Sequence, residues 1–264
     1  MTSQTQTTEP MRLTEEQLEA YRRDGYIMIE NLVTPEELKQ LHHRQREYTH
    51  CGRDASKLSI QVEPRIQRGE VKVDHPGDGI RKIDGLIEHD DLFRRLGTHP
   101  NILEILEQIL GPDIKLYRNT LLLKPPLVGS AKGMHQDSPY WPIEPMELCS
   151  CWFTLDAATP ENGCMGVIPG AHRRGPLPHH QVPDDFVMDE ASYDMRDVKL
   201  VPMPAGAGLF FHSLLPHVTA PNTSRHWRRA ITMTYMSARS RYTGEGESPN
   251  FMTVRGRGYP GCVG

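Results

Sequence analysis

Four side chains in this sequence have the types and spacing to act on chemistry together. His135 and Asp137 stand two apart in Gly133-Met134-His135-Gln136-Asp137, His217 follows, and Arg228 lies eleven residues beyond it. Two histidines and one carboxylate are the ligand set that Fe(II) takes while keeping positions open for a cosubstrate and O2. The planar fork of an arginine suits a carboxylate, which a dicarboxylate cosubstrate would present. If the four groups meet in space, the chemistry they fit is oxygenation.

The His-x-Asp triplet decides little alone. A chain with 13 histidines is expected to hold about one by chance. A second triplet indeed occurs at His89-Asp90-Asp91, where a helix start explains an aspartate as N-cap. His135-Gln136-Asp137 instead follows a strand and the turn Val128 to Gly133. Residues i and i+2 of an extended segment point the same way, so His135 and Asp137 are expected to face one metal. The third ligand must come from His172, His179, His180, His212, His217 or His226. His217 stands out through its setting, Pro216-His217-Val218-Thr219, followed by Pro221-Asn222-Thr223-Ser224 and the pair Arg228-Arg229. His179-His180 reads as a solvated loop pair. Arg228 and Arg229 open an alternating strand, so one faces inward and the other outward. A hydrolytic zinc site is a poorer reading, because no HExxH occurs.

The elements that must position these groups are legible in outline. Thr14 with Gln17, and Thr34 with Glu37, form capping boxes that start two helices, the second with Pro35 at its first position. Gly25 ends the first, and Tyr26 to Ile29 reads as a short strand. Residues 52 to 80 form a long loop with a strand near Leu58 to Val62. Further helices start at Asp90-Asp91 and run from Pro100 to Leu110, where Gly111-Pro112 stops them. After Ile114 the texture changes to short strands: Ile114 to Lys124, Leu148 to Asp156, Met165 to Ile168, Leu209 to His212 and Ala230 to Met236. Many short strands with turn signals predict a sandwich or jelly roll.

At 264 residues with a net charge of −4, the chain carries no basic surface for nucleic acid. No apolar run reaches membrane-spanning length. Residues 1–12 read as a disordered lead-in and residues 13–264 as a single domain, helical first and β-rich second. The five cysteines and the absence of a secretion signal argue for free thiols in a cytoplasmic protein.

In order along roughly residues 14 to 240, these pieces resemble the phytanoyl-CoA dioxygenase family of Fe(II)- and 2-oxoglutarate-dependent oxygenases. The resemblance includes Asp24-Gly25-Tyr26, Leu123-Lys124-Pro125-Pro126, His135-Gln136-Asp137, Asn162-Gly163-Cys164 and Ile168-Pro169-Gly170-Ala171-His172. It closes on Pro216-His217-Val218-Thr219 and Arg228-Arg229-Ala230. It implies a mainly β fold with flanking α-helices, a double-stranded β-helix of the cupin-like jelly-roll kind. It implies iron ligands at His135, Asp137 and His217, and Arg228 with Thr219 on the far carboxylate of 2-oxoglutarate. It places Trp152, Gln136 and Lys82 near that cosubstrate. Lys124 fits either an anion-facing residue or a surface lysine at a strand end. The reaction so implied consumes O2, releases succinate and CO2, and hydroxylates an unactivated C–H of a small molecule. Desaturation, cyclisation or epimerisation at the same centre, or a non-catalytic cupin-like binding protein, are the alternatives. A carboxylate at Asp137 argues against halogenation, which needs that position vacated for chloride. Ser138, Tyr140 and Trp141, directly after the triplet, are candidates for the substrate pocket. The 52 to 80 loop and the stretch 178 to 194 are candidate lids.

Overall fold

The computed structural model describes residues 10–183 and 185–264. The helical part comes first: α1 (Glu15–Asp24), β1 (Tyr26–Ile29), α2 (Pro35–His50), β2 (Ser59–Val62), α3 (Pro64–Gln67), β3 (Ile80–Asp84), α4 (Leu86–His89), α5 (Asp91–Gly97) and α6 (Pro100–Leu110). The β-rich part follows with β4 (Ile114–Lys124), β5 (Lys132–His135), β6 (Ile143–Glu144), β7 (Cys149–Thr154), β8 (Met165–Val167), β9 (His179–Val182) and β10 (Asp185–Met188). It closes with β11 (Lys199–Val201), β12 (Gly208–His212), β13 (His217–Thr219), β14 (Arg228–Ser237), β15 (Arg241–Tyr242) and β16 (Thr253–Arg255).

Both expected capping boxes form. Thr14 and Thr34 each accept from the third helical N–H, while the Gln17 and Glu37 side chains reach back to the cap backbone. Gly25 ends α1 at φ 82°, a left-handed conformation that glycine adopts freely. Asp90 caps α5 by accepting from the N–H groups of Leu92 and Phe93. That accounts for the His89-Asp90-Asp91 triplet without a metal. The lead-in expected over residues 1–12 falls mostly outside the described residues. Its last part is tied down, since the Met11 N–H donates to Asn101 on α6, and the N–H of Leu13, the first residue of the expected domain, donates to Gln108 on the same helix.

Among the described residues, two sheets hold the site. The larger has eight strands in the order β1-β12-β7-β14-β4-β3-β2, with β16 also on β4, and the smaller runs β11-β8-β13-β5. All the pairings are antiparallel. This is the expected jelly-roll architecture with helices on one side. Side chains alternate across a strand, so each strand of the large sheet offers one set to each face. Leu121, Cys151, Phe153, Phe210, Ile231, Met233 and Tyr235 share one buried cluster with Leu86, Phe93, Ile102 and Leu106 from the helices. The opposite face of the same strands looks toward the small sheet and carries the polar groups described next.

Candidate metal centre

His135 ends β5 and His217 begins β13, and the two are direct cross-strand partners. Their rings lie 4.0 Å apart between centroids. Asp137 comes back to them from just past the strand, with its Oδ1 3.7 Å from His135 Nε2. One ligand atom from each of the three lies within 4.8 Å of the others. The three expected residues do come together, but Asp137 joins the histidines for a different local reason. Asp137 is not extended: it sits at φ −81°, ψ −50°, opening the 3-10 turn Ser138–Tyr140. The Asp137 and Ser138 N–H groups both donate to the Ser213 carbonyl, at 2.9 and 3.1 Å, and this clamp turns the carboxylate inward.

The histidines are set for metal. His135 Nδ1 lies 2.9 Å from the Gly133 carbonyl and His217 Nδ1 2.9 Å from the Leu215 carbonyl. A carbonyl only accepts, so each Nδ1 must carry a proton, which makes Nε2 the ring atom left to offer a metal. Burial pushes the His135 pKa well down, with the neighbouring His217 adding to it. Neutral imidazoles are what a metal needs.

Facing the triad across a cavity of about 300 Å³ is Arg228. It is 2% exposed, and its Nε and Nη1 have no hydrogen-bond partner. Burial lowers its pKa to about 10, which leaves it charged at neutral pH. Trp152 lies under it, with the guanidinium carbon 5.3 Å from the ring centroid. Its neighbour Arg229 points to the other face and forms a two-pronged pair with Asp156, at 2.7 and 2.8 Å. The expected in-and-out alternation is thus real, and only the outward arginine has an internal partner. A buried unpaired cation costs several kcal/mol, and Arg228 carries that cost with no carboxylate of the protein against it.

Lys82, Thr219, Trp152, Tyr140 and Trp141 all line the same cavity. Two other expected residues do not. Gln136 is fully buried with its amide turned away: Nε2 donates to the Gly175 and Leu214 carbonyls, and Oε1 accepts from the Leu177 N–H. All its polar groups are used in bracing the turn, so none is left for a cosubstrate. Ser138 donates instead to Ser213 Oγ at 2.5 Å and is likewise buried out of the cavity. His179 is not a solvated loop residue, since its Nε2 accepts from the Gln136 N–H at 3.0 Å.

Several lining residues escaped sequence reasoning. Glu63 comes from the long loop and is held by Ser130. Phe186 comes from the β9–β10 hairpin; its carbonyl accepts from the Tyr140 hydroxyl, and Lys132 is paired with Asp185 beside it. Both candidate lids therefore reach the cavity. Arg118, Thr120 and Leu122 line it from β4, in line with Lys124, which the sequence leaves open between an anion-facing residue and a surface lysine. Their alternate spacing was the available signal. Lys124 proves buried, donating to the Thr219 and Ala220 carbonyls, and burial lowers its pKa to about 6.

A sequence model of the phytanoyl-CoA dioxygenase family matches residues 21–230. The chain belongs to that family. It is accordingly an iron- and 2-oxoglutarate-dependent oxygenase. The human peroxisomal phytanoyl-CoA dioxygenase is 29% identical over 241 residues, covering 87% of this chain and 70% of that protein. A methylphosphonate hydroxylase of Gimesia maris is 28% identical over 84% of this chain and 80% of its own. Among solved structures, EctD of S. alaskensis with 2-oxoglutarate and 5-hydroxyectoine superposes at a TM-score of 0.74. That match covers 96% of this chain and 87% of that one, at 22% identity, and speaks to the fold. Among the described residues no helix is long and apolar enough to cross a membrane.

Proposed function

We propose that this family member hydroxylates an unactivated C–H of a small molecule, with His135, Asp137 and His217 holding the iron. Arg228 receives the far carboxylate of 2-oxoglutarate, flanked by Thr219, Trp152 and Lys82. The observation that carries this reading is the unpartnered, fully buried guanidinium of Arg228 across one cavity from three converging ligand atoms. A structural arginine would resemble Arg229, which has its carboxylate already. An empty cupin-like shell would have no reason to carry an unpaired buried charge beside a preset ligand trio.

When bound, iron with 2-oxoglutarate and O2 supplies the oxidising power, with succinate and CO2 as by-products. The protein's part is binding and orientation. The Nδ1–H bonds of His135 and His217 fix both rings, and the Ser213 clamp fixes Asp137. Trp152 and the surrounding strands keep water from Arg228, which strengthens its grip on a carboxylate. Tyr140, Trp141 and Phe186 form the wall on the substrate side. The methylphosphonate hydroxylase relative supports hydroxylation as the outcome. So does the carboxylate retained at Asp137.

The test is anaerobic titration of the Fe(II) protein with 2-oxoglutarate. A charge-transfer band that vanishes in Asp137→Ala and weakens in Arg228→Met is expected. No band in the wild type, with zinc retained instead, would sink the reading.

A further inference from the structure

The Arg228 end and the triad leave the opposite end of the cavity without a role. That end is set by β4. Its register on β14 pairs Lys124 with Arg228 and Arg118 with Thr234. Arg118, Thr120, Leu122 and Lys124 all face the cavity, so it runs as a trough along the strand. Six residues of strand put Arg118 and Lys124 ~20 Å apart. The trough thus has the Arg118 guanidinium at one end and the Arg228 guanidinium, beside Lys124, at the other. The segment following Asp137 folds over the Arg118 end, where the Trp141 ring meets Tyr117 at 4.9 Å.

Arg118 is poorly satisfied from within. One N–H donates to Thr120 Oγ1 at 3.2 Å. Its closest carboxylate, Asp84, is 3.7 Å away and already accepts from the Thr120 hydroxyl. A guanidinium has five N–H donors in a fixed fork, so most of its capacity is open. Besides the triad and Arg228, Lys82 (given above to the cosubstrate) and its neighbour Arg81 line the trough from β3, and the remaining lysines and glutamate are committed. Lys132 is paired with Asp185, Lys124 serves the Thr219 and Ala220 carbonyls, and Glu63 is held by Ser130. Arg118 also edges a second cleft lined by Tyr117, Tyr242 and Phe251, and its side chain is 48% exposed, so a ligand can reach it.

We propose that Arg118 is the specificity-determining residue for the substrate, and that the substrate is a small organic anion. Its carboxylate or phosphonate group sits on the Arg118 fork, and the C–H to be oxidised lies between that group and the metal triad. Trp141 and Phe211 supply apolar wall to the stretch between. A neutral substrate would leave the fork facing water, and a cationic one would be repelled. This assignment rests on the oxygenase reading.

The test uses the full chain loaded with redox-inert Zn(II) and 2-oxoglutarate. Thermal shifts are measured for alkyl carboxylates, alkylphosphonates and their matching amides and amines, and hits are carried to succinate release with Fe(II). Anions are expected to bind ~tenfold or more tighter than their amides, as a two-pronged charged contact would give. The carboxylate and phosphonate arms tell which head group fits. Arg118→Gln should erase the preference and Arg118→Lys should restore part of it, with the shift from 2-oxoglutarate itself unmoved in both. Equal behaviour of anion and amide, including no shift from either, overturns the proposal, as does a preference retained in Arg118→Gln. Failure of 2-oxoglutarate to stabilise the wild-type Zn(II) protein would instead bring down the oxygenase reading, and this inference with it.

Discussion

The two faces of the large sheet are made by the same strands and could hardly differ more. On one face Leu121, Phe153, Ile231, Met233 and Tyr235 pack against the helices, and the Tyr235 hydroxyl donates to the Gly97 carbonyl at 2.8 Å. On the other, Lys82, Arg118, Lys124 and Arg228 surround a cavity, and Arg228 has unmet donors. One face is satisfied by the protein itself, while the other keeps buried donors that no group of the protein meets. The contrast separates stability from function residue by residue along a single strand, because alternate positions answer to different demands.

That contrast can be broken or sharpened by substitution. The largest effect is expected from His217→Ala or Asp137→Ala, which should abolish succinate release while the fold survives, as read by circular dichroism. Full activity in either would refute the triad. Next, Arg228→Met should weaken 2-oxoglutarate binding by ~100-fold or more, since a buried charged contact is worth ~2–5 kcal/mol. The companion Arg229→Met should leave 2-oxoglutarate affinity within a few-fold and lower the melting temperature instead. On the core face, Ile231→Val should cost about 1 kcal/mol in denaturant unfolding and leave 2-oxoglutarate affinity unchanged. A matching loss of affinity would show the faces to be coupled.

The subtlest effect concerns pH. Lys124 is held neutral in the fold down to about pH 6 by burial, while the unfolded chain binds its proton up to lysine's ordinary 10.5. The unfolded state therefore holds more protons between those limits, and stability should rise with pH across that window. Lys124→Met should flatten that part of the rise, measured by urea unfolding at several pH values. An identical slope in the variant would show that Lys124 stays charged.

Much of this was legible in the sequence, for local reasons. The capping boxes at Thr14 and Thr34, the stop at Gly25 and the cap at Asp90 depend on a few adjacent residues, and all formed. The alternation at Arg228-Arg229 needs only a strand. What escaped depends on distant partners. Gln136 and Ser138 face away because Leu214 and Ser213, over seventy residues on, claim them. Asp137 reaches the metal position through a turn fixed by that same segment, not through strand geometry. Arg118 stood in plain view, but its place opposite the anion end appears only once β4 is registered on β14.

The doublet Arg228-Arg229 has one further consequence. A one-residue slip of β14 would still leave an arginine on each face, so the arginines themselves do not guard the register. The slip would, however, turn Met233 into the cavity in place of Thr232 and drive Thr232 and Thr234 into the apolar cluster. Ile231, Met233 and Tyr235 thus act as the ratchet that keeps Arg228, and not Arg229, on the cavity face. An engineer repacking that distant core would be editing the cavity wall without touching it.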